Sequence, residues 1–364
     1  MLTFKQRLKK IILMPLYFLP IKKKRISFIC YNCTQYSCNP KYITEYIYKH
    51  YSDEYDLIWF FDSEDVKNKL PDYVRQFKKN TIGYFLALAT SEYVISNVTL
   101  PRIVTFKKKQ KTINTWHGTA FKGDKNKYGN DYNRFDYFIA ENELTSGVFR
   151  QKDSFDYQGE ILKIGMPRND ILINSDANQI MCLKEYLGLN HDVNVLIYAL
   201  TFREDINNAP FNIDFGRLID SLQTKFGGKW VVLFRYHHMQ KGRIYLQDSI
   251  DVTLYPDMQE LLLISDILIT DYSSCMWDFS LMDKPVFLYA EDVEKYIMHE
   301  RGEFYYPLEK LPFSISKNND ELNEKISEFD KDEYVSKVSK YHQVWGRYNM
   351  NGDSTKLFVE KILN

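Results

Sequence analysis

Long apolar runs, glycine-rich phosphate loops and an excess of charge of either sign are all missing from this 364-residue chain. Lys plus Arg number 48 and Asp plus Glu number 48, so there is no global polycation of the kind that nucleic-acid binding requires. No nucleic-acid partner is expected, and any basic surface must be local. Five cysteines, at 30, 33, 38, 182 and 275, form an odd and scattered set. That excludes the even disulfide framework of a small secreted domain and fits a reducing compartment. Cys30-Tyr-Asn-Cys33 has C-x-x-C spacing, yet no second pair or His cluster follows to complete a zinc site, so a structural role is expected. Neither G-x-G-x-x-G nor a P-loop occurs. The one Asp-x-Asp, Asp330-Lys-Asp332, lies in a charged, helically patterned tail rather than after a strand, so metal dependence is not signalled.

What is present begins with residues 1–25, which hold two basic clusters, Lys5 to Lys10 and Lys22 to Arg25, around an apolar stretch over 11–21. No acidic residue occurs there. The stretch is shorter than the about 20 residues a membrane span needs and contains Pro15 and Pro20. No small-residue cleavage site follows it, as a signal peptide would want. It reads as an interfacial segment, apolar side chains at the acyl boundary and ammonium groups on anionic headgroups. The alternative is a leader that packs on its own domain.

Beyond it, short runs rich in β-branched and aromatic residues alternate with amphipathic stretches of helical length. One series occupies 26–30, 57–61, 93–96, 112–116, 137–140 and 161–164. A second occupies 195–199, 230–234, 252–254, 267–270 and 286–289. The alternation predicts βα units on parallel sheets, and two series predict two doubly wound domains, 26–175 and 176–364.

Ligands of open parallel sheets bind beyond the carboxyl ends of the strands, so the residues following each run are the informative ones. They are His117-Gly118-Thr119; Gly165-Met-Pro-Arg168-Asn-Asp170; Leu200-Thr201-Phe-Arg203; Arg235-Tyr-His237; and Asp271-Tyr-Ser273-Ser274. His117 before a glycine at a strand end is either a catalytic imidazole or a structural one. Arg235 and His237 point to one side, either towards phosphate or as a salt-bridged Arg with a capping His. Ser273 and Ser274 at a helix entry can hold an anion or simply cap. Taken together, Arg168, Arg203, Arg235, Ser273 and Ser274 describe a site that collects negative oxygens.

The ordered motifs Trp116-His-Gly-Thr119, Gly165-Met-Pro-Arg-Asn-Asp170, Tyr198-Ala-Leu-Thr-Phe-Arg203, Arg235-Tyr-His237, Asp251-Val-Thr-Leu-Tyr-Pro256 and Ser265 through Ser274 closely resemble the CDP-glycerol glycerophosphotransferase family of teichoic acid and capsule synthesis. Trp277-Asp278-Phe279, Lys284-Pro285 and Arg301-Gly302 continue the resemblance, which covers about residues 90 to 305. It implies an α/β fold of GT-B type, two Rossmann-like domains with the active site in the cleft between them. It implies peripheral attachment to the cytoplasmic face of the membrane, and no cofactor is expected. Carried over residue by residue, the two functional histidines fall on His117 and His237. Donor contacts fall on Arg168, Thr201, Arg235, Ser273, Ser274 and Asp278, with Gly118, Thr119, Arg203 and Asp271 beside them. This chain departs from the family where it has Leu200, His238 and Ala120 in place of proline. It also inserts Glu303 before Phe304, and carries Asn351-Gly-Asp353 without the usual Arg beyond.

The implied reaction takes glycerol phosphate from CDP-glycerol, or ribitol phosphate from CDP-ribitol, to the hydroxyl of a lipid-linked or polysaccharide acceptor. A GT-B glycosyltransferase using a nucleotide sugar is the rival from fold alone. His117 is expected as general base, with Asp124 and Asp170 as the carboxylates to consider should it not be.

Overall fold

The apolar runs become the strands of two sheets in which every pair of neighbours is parallel. The computed structural model describes residues 2–52, 54–122, 129–203, 212–237, 240 and 246–363. Its chain divides into two compact units, the first made of Met1–His117, Lys127–Asp170 and Tyr348–Asn364, the second of Gly118–Asn126 and Ile171–Arg347.

The first unit holds β1 Lys22–Ile29, β2 Asp56–Phe61, β3 Arg75–Lys78, β4 Ser91–Ser96, β5 Lys111–Asn114, β6 Tyr137–Ala140 and β7 Glu160–Lys163, in the order β3-β2-β1-β4-β5-β6-β7. Strand order reverses between β1 and β4, which makes the carboxyl ends of β1, β4 and β5 the natural ligand edge. Residues 26–29 of β1 and 57–61 of β2 are buried without alternation, as strands covered on both faces must be.

The second basic cluster is not a free polybasic tract. Lys22–Lys24 open β1, Lys24 pairs with Glu54 at 2.6 Å, and Arg25 is buried with its guanidinium on Asp56 at 2.7 Å and on Thr90 Oγ1 at 2.8 Å. Desolvating an arginine demands such partners. The expected interfacial segment therefore ends before β1.

The second unit holds β8 Val193–Ala199, β9 Lys229–Arg235, β10 Ile250–Asp251, β11 Ile267–Thr270, β12 Val286–Tyr289 and β13 Ser314–Ser316, in the order β10-β9-β8-β11-β12-β13. Here the order reverses between β8 and β11. One core cluster joins Leu196, Tyr198, Phe234, Ile269 and Phe287 of the sheet to Leu218 and Leu222 of the helix Phe215–Phe226.

Two edge strands, β3 and β13, have no counterpart among the predicted runs, because short polar edges carry no apolar signature. The expected strand at 252–254 is a turn instead, closed by Tyr255 N donating to Val252 O at 3.0 Å. The charged tail forms helices Asn319–Ser327, Lys331–Val344 and Ser354–Ile362. The last of these belongs to the first unit and buries Phe358, Val359 and Ile362 there.

Candidate active site

In the first unit the functional edge is built around His117, three residues beyond β5. Its Nδ1 lies 2.8 Å from the main-chain carbonyl of Asn97, the first residue after β4. A carbonyl oxygen only accepts, so Nδ1 carries the proton and the basic lone pair of the neutral ring is on Nε2. The ring sits 4.3 Å from that of Trp116 and 5.8 Å from that of Tyr31. It is half-buried.

The backbone just before it is strained. Trp116 has φ +50°, a left-handed conformation that costs an L-residue about 1–2 kcal/mol. Its indole is fixed edge-on by Phe149 and Phe155, and its main-chain N–H donates to Asn114 Oδ1 at 2.7 Å. The stronger restraint comes from Asn39, which is fully buried. Asn39 Nδ2 donates to Thr115 O at 2.8 Å and to Trp116 O at 3.1 Å, while its Oδ1 accepts the Arg168 N–H at 3.0 Å. One side chain thus clamps the histidine loop to the Gly165–Asp170 loop. Gly165 itself has φ +82°, and a Cβ there would lie 2.5 Å from Ser354 Oγ.

Arg168 is 4% exposed, with Nη1 on Cys38 Sγ at 3.4 Å. Burial holds the Tyr31 phenol well above its ordinary range; the Cys38 thiol adds to this and the Arg168 guanidinium opposes it. Tyr31, Asn32 and Cys33 form a turn of three consecutive left-handed residues, φ +42°, +57° and +75°, and Tyr31 N donates to Asn97 Oδ1 at 2.8 Å. Backbone strain of this kind concentrates at functional sites. The Cys33 thiol is pushed up to about 12 by burial, and Cys30 donates to Ser37 O at 3.2 Å. Both are buried, and neither is in a disulfide.

Asp170 is accounted for otherwise. Its two oxygens accept the N–H groups of Ser354 and Thr355 at 3.0 and 2.8 Å, which caps the last helix, and burial raises its pKa against those bonds. Asp124 lies outside the described residues, as does His238.

In the second unit the loops after β8 and β11 are tied together. Asp271 Oδ1 accepts from Thr201 N and Oγ1 at 2.9 and 2.6 Å, and Asp271 Oδ2 pairs with Arg203 Nη2 at 2.8 Å. Arg203 also pairs through Nε with Asp292 at 2.8 Å, donates from Nη1 to Thr201 O at 2.9 Å, and lies over the rings of Tyr272 and Tyr296. Burial works against its charge, and Asp271 and Asp292 more than offset that. With 1% of its surface exposed, Arg203 is a buried structural cation, not the anion-facing group expected. A sequence shows an Arg at a strand end but not the two carboxylates that enclose it.

Arg235 closes β9 with Nη1 donating to Tyr255 O at 2.7 Å and Val252 O at 3.3 Å, which holds its fork at the strand end. His237, two residues on, is half-buried with its ring 5.8 Å from that of Phe202. Ser273 and Ser274 precede a helix of only five residues, Cys275–Phe279. Its first N–H groups are already used: Cys275 N donates to Ser273 Oγ, and Met276 and Trp277 donate to the carbonyls of Ser273 and Ser274. The half-exposed hydroxyls, rather than a strong helix dipole, are what this entry presents. Asp278 is buried and accepts from Gln259 Nε2 at 3.0 Å.

Gly118 and Thr119 are buried and belong to the second unit, so the chain passes between units within the His-Gly-Thr motif. That segment is anchored by Tyr305 N donating to Phe121 O at 2.7 Å and by stacking of Phe121 on Phe304, directly beyond the inserted Glu303. The structure therefore brings His117 and Arg168 together in one unit, and Thr201, Arg203 and Asp271 in the other. Asn39, Asn97 and Tyr31 were missed by sequence reasoning. Asn39 sits at the start of a helix rather than after a strand, and only the strain at Trp116 singles it out.

The comparisons with known proteins agree with these motifs. A family profile described as CDP-glycerol:poly(glycerophosphate) glycerophosphotransferase matches residues 11–364. The chain is 33% identical over 349 residues to the teichoic acid poly(glycerol phosphate) polymerase of Staphylococcus epidermidis, covering 88% of this chain and 48% of that one. It thus spans about half the length of that relative. To the polymerase of the same name from Bacillus spizizenii it is 32% identical over 390 residues, covering 98% of this chain and 96% of that one. A solved structure of the wall teichoic acid polymerase TagF, in a histidine-to-asparagine variant soaked with CDPG, superposes with a TM-score of 0.82 at 29% identity over 100% of this chain and 98% of that one. The expected α/β class, two Rossmann-like units of GT-B type, is borne out by that superposition and by the two parallel sheets. On the profile match across nearly its whole length, the chain belongs to the CDP-glycerol:poly(glycerophosphate) glycerophosphotransferase family.

Proposed function

We propose that this protein transfers glycerol phosphate from CDP-glycerol to an acceptor hydroxyl in the synthesis of teichoic acid or a capsular polymer, releasing CMP. Family membership and the relatives named poly(glycerol phosphate) polymerases support the donor. The observation that carries the chemistry is His117, whose Nδ1 is fixed on Asn97 O so that Nε2 is the base. In the step, Nε2 takes the acceptor hydroxyl proton, the acceptor oxygen bonds to the glycerol-bearing phosphorus, and the bond from that phosphorus to the CMP oxygen breaks. Arg235, His237, Ser273 and Ser274 are assigned to the donor pyrophosphate, where they offset the charge that grows on departing CMP. In the second unit Thr201, Gly118, Thr119 and Asp278 are assigned to the surroundings of the donor, with Arg203 and Asp271 tying the loops after β8 and β11, and in the first unit Arg168 is assigned beside His117.

The protein is assigned to the cytoplasmic face of the membrane as a peripheral enzyme. No helix among the described residues is long and apolar enough to cross a bilayer. Helix Phe4–Leu13 buries none of its residues and exposes Phe4, Leu8, Ile11 and Ile12 beside Lys5, Arg7, Lys9 and Lys10, the pattern of an interfacial helix.

The test is CMP release measured with CDP-glycerol, CDP-ribitol and a UDP-sugar, each on membranes holding native acceptor. Turnover is expected with CDP-glycerol. Turnover with the UDP-sugar and none with either CDP-polyol would overturn the reading. Removal of residues 1–20 is expected to release the protein from anionic vesicles while turnover on a soluble acceptor persists.

A further inference from the structure

Nine of the eighteen large apolar side chains exposed among the described residues lie on two neighbouring stretches, 4–18 and 82–86. Helix Phe4–Leu13 is held locally by a capping box between Thr3 and Gln6 rather than by packing. After it, the turn Met14–Phe18, with Pro15 near its start, lies over helix Ile82–Thr90. Along that second helix Ile82, Phe85, Leu86 and Ala89 fall at i, i+3, i+4 and i+7, a single apolar face.

The two faces do not close on each other. Between them and residues 103–105 is a groove of about 280 Å³, walled by Leu13, Leu16, Phe18, Phe85, Ala89 and Val104. Among the described residues, Lys10, Tyr17 and Thr105 supply the polar side chains of its lining. Exposed Met14, Ile82 and Leu86 continue the apolar surface outward from it. Its volume is just below the about 300–1,000 Å³ range of small-molecule sites and far below what a folded partner would fill. On its N-terminal side the charge is of one sign, since residues 1–21 contain no acid and Lys5, Arg7, Lys9 and Lys10 are exposed there.

We infer that this groove takes one hydrocarbon chain of an anionic membrane lipid, with the lipid phosphate at Lys10. The inference rests on the reading that the protein works at a membrane surface and deepens it. Interfacial partition of the first helix needs only a bilayer. A walled apolar groove with a cation at its rim also binds a single anionic amphiphile, in the absence of any bilayer.

The experiment titrates the full chain calorimetrically with dodecyl phosphate and with dodecyltrimethylammonium, each below its micelle concentration. One-to-one binding of dodecyl phosphate at least tenfold tighter than the cation is expected. Ala89→Phe, which fills the groove, is expected to weaken that binding at least tenfold. Lys10→Glu, at an exposed position that leaves the fold intact, is expected to abolish the preference for the anion. Equal affinity for both amphiphiles, or wild-type affinity in folded Ala89→Phe, overturns the groove. Flotation on phosphatidylglycerol vesicles separates the two readings. Vesicle binding without dodecyl phosphate binding removes the groove and leaves the membrane assignment standing, and loss of both removes both.

Discussion

Asn39→Asp is the substitution that most directly probes how the fold aims His117. The change keeps the oxygen that accepts Arg168 N–H at 3.0 Å, but replaces an NH₂ by an oxygen facing two carbonyls at 2.8 and 3.1 Å. Thr115 O and Trp116 O each lose a donor, at up to about 1–3 kcal/mol each, with Thr115 Oγ1 still 3.5 Å from Trp116 O. The left-handed conformation of Trp116, worth about 1–2 kcal/mol of strain, is no longer held down. If the loop recovers part of this by relaxing, about 3 kcal/mol remains against the conformation in which His117 meets Asn97 O. At 1.4 kcal/mol per decade that is a loss of roughly 100-fold in competent enzyme. CMP release at saturating donor should fall by about that factor, while KM for CDP-glycerol changes far less, because Arg235, His237, Ser273 and Ser274, the groups assigned to the donor pyrophosphate, are in the other unit. The limb of the pH–rate profile assigned to the imidazole should shift, which a merely structural defect would not produce. An Asn39→Asp protein with wild-type circular dichroism and kcat within threefold of wild type would refute the clamp.

The two histidines should separate: His117→Ala is expected to retain donor affinity and lose about 100- to 10,000-fold in turnover, whereas His237→Ala weakens both together, as read by donor titration and single-turnover CMP release. Turnover within threefold of wild type in His117→Ala would leave it a structural residue. Arg203→Ala breaks a buried ion pair and should cost about 3–5 kcal/mol in a denaturant titration. Arg235→Ala, which loses part-buried bonds to the carbonyls of Val252 and Tyr255, should cost less stability, about 1–2 kcal/mol, and weaken CDP-glycerol binding by about 1.5–3 kcal/mol, the worth of a charge-assisted bond. The reverse pattern would exchange their roles. His342 accepts from Arg347 at Nδ1 and contacts Ser280 at Nε2, and burial, with Arg347 adding, lowers its pKa to about 3. The unfolded chain takes up this proton near pH 6.5 and the folded one does not, so stability is complete above that pH. It falls by at most about 1.4 kcal/mol per unit as pH drops from 6.5 towards 3. Thermal melts of wild type and His342→Gln between pH 7 and 5 check this, and parallel slopes would count against it.

The sequence by itself determined the class of fold, since parallel strands buried on both faces must be written as unbroken apolar runs, and those runs located the strands that carry the site. It also placed His117, Arg235, His237, Ser273 and Ser274 at strand ends, because in such sheets the ligand edge follows from chain direction alone. Local pattern could not say what each polar group faces. Arg203 reads like Arg235 in the sequence, yet Asp292, 89 residues away, makes it a buried structural cation. Arg25 reads as part of a basic tract, yet Asp56 on the neighbouring strand takes it into the sheet. Asn39 precedes Trp116 by 77 residues, and only tertiary packing makes it the clamp of the histidine loop. Periodicity is a property of neighbours along the chain, whereas the charge, tautomer and orientation of a buried polar group are set by partners that only folding brings within hydrogen-bond reach.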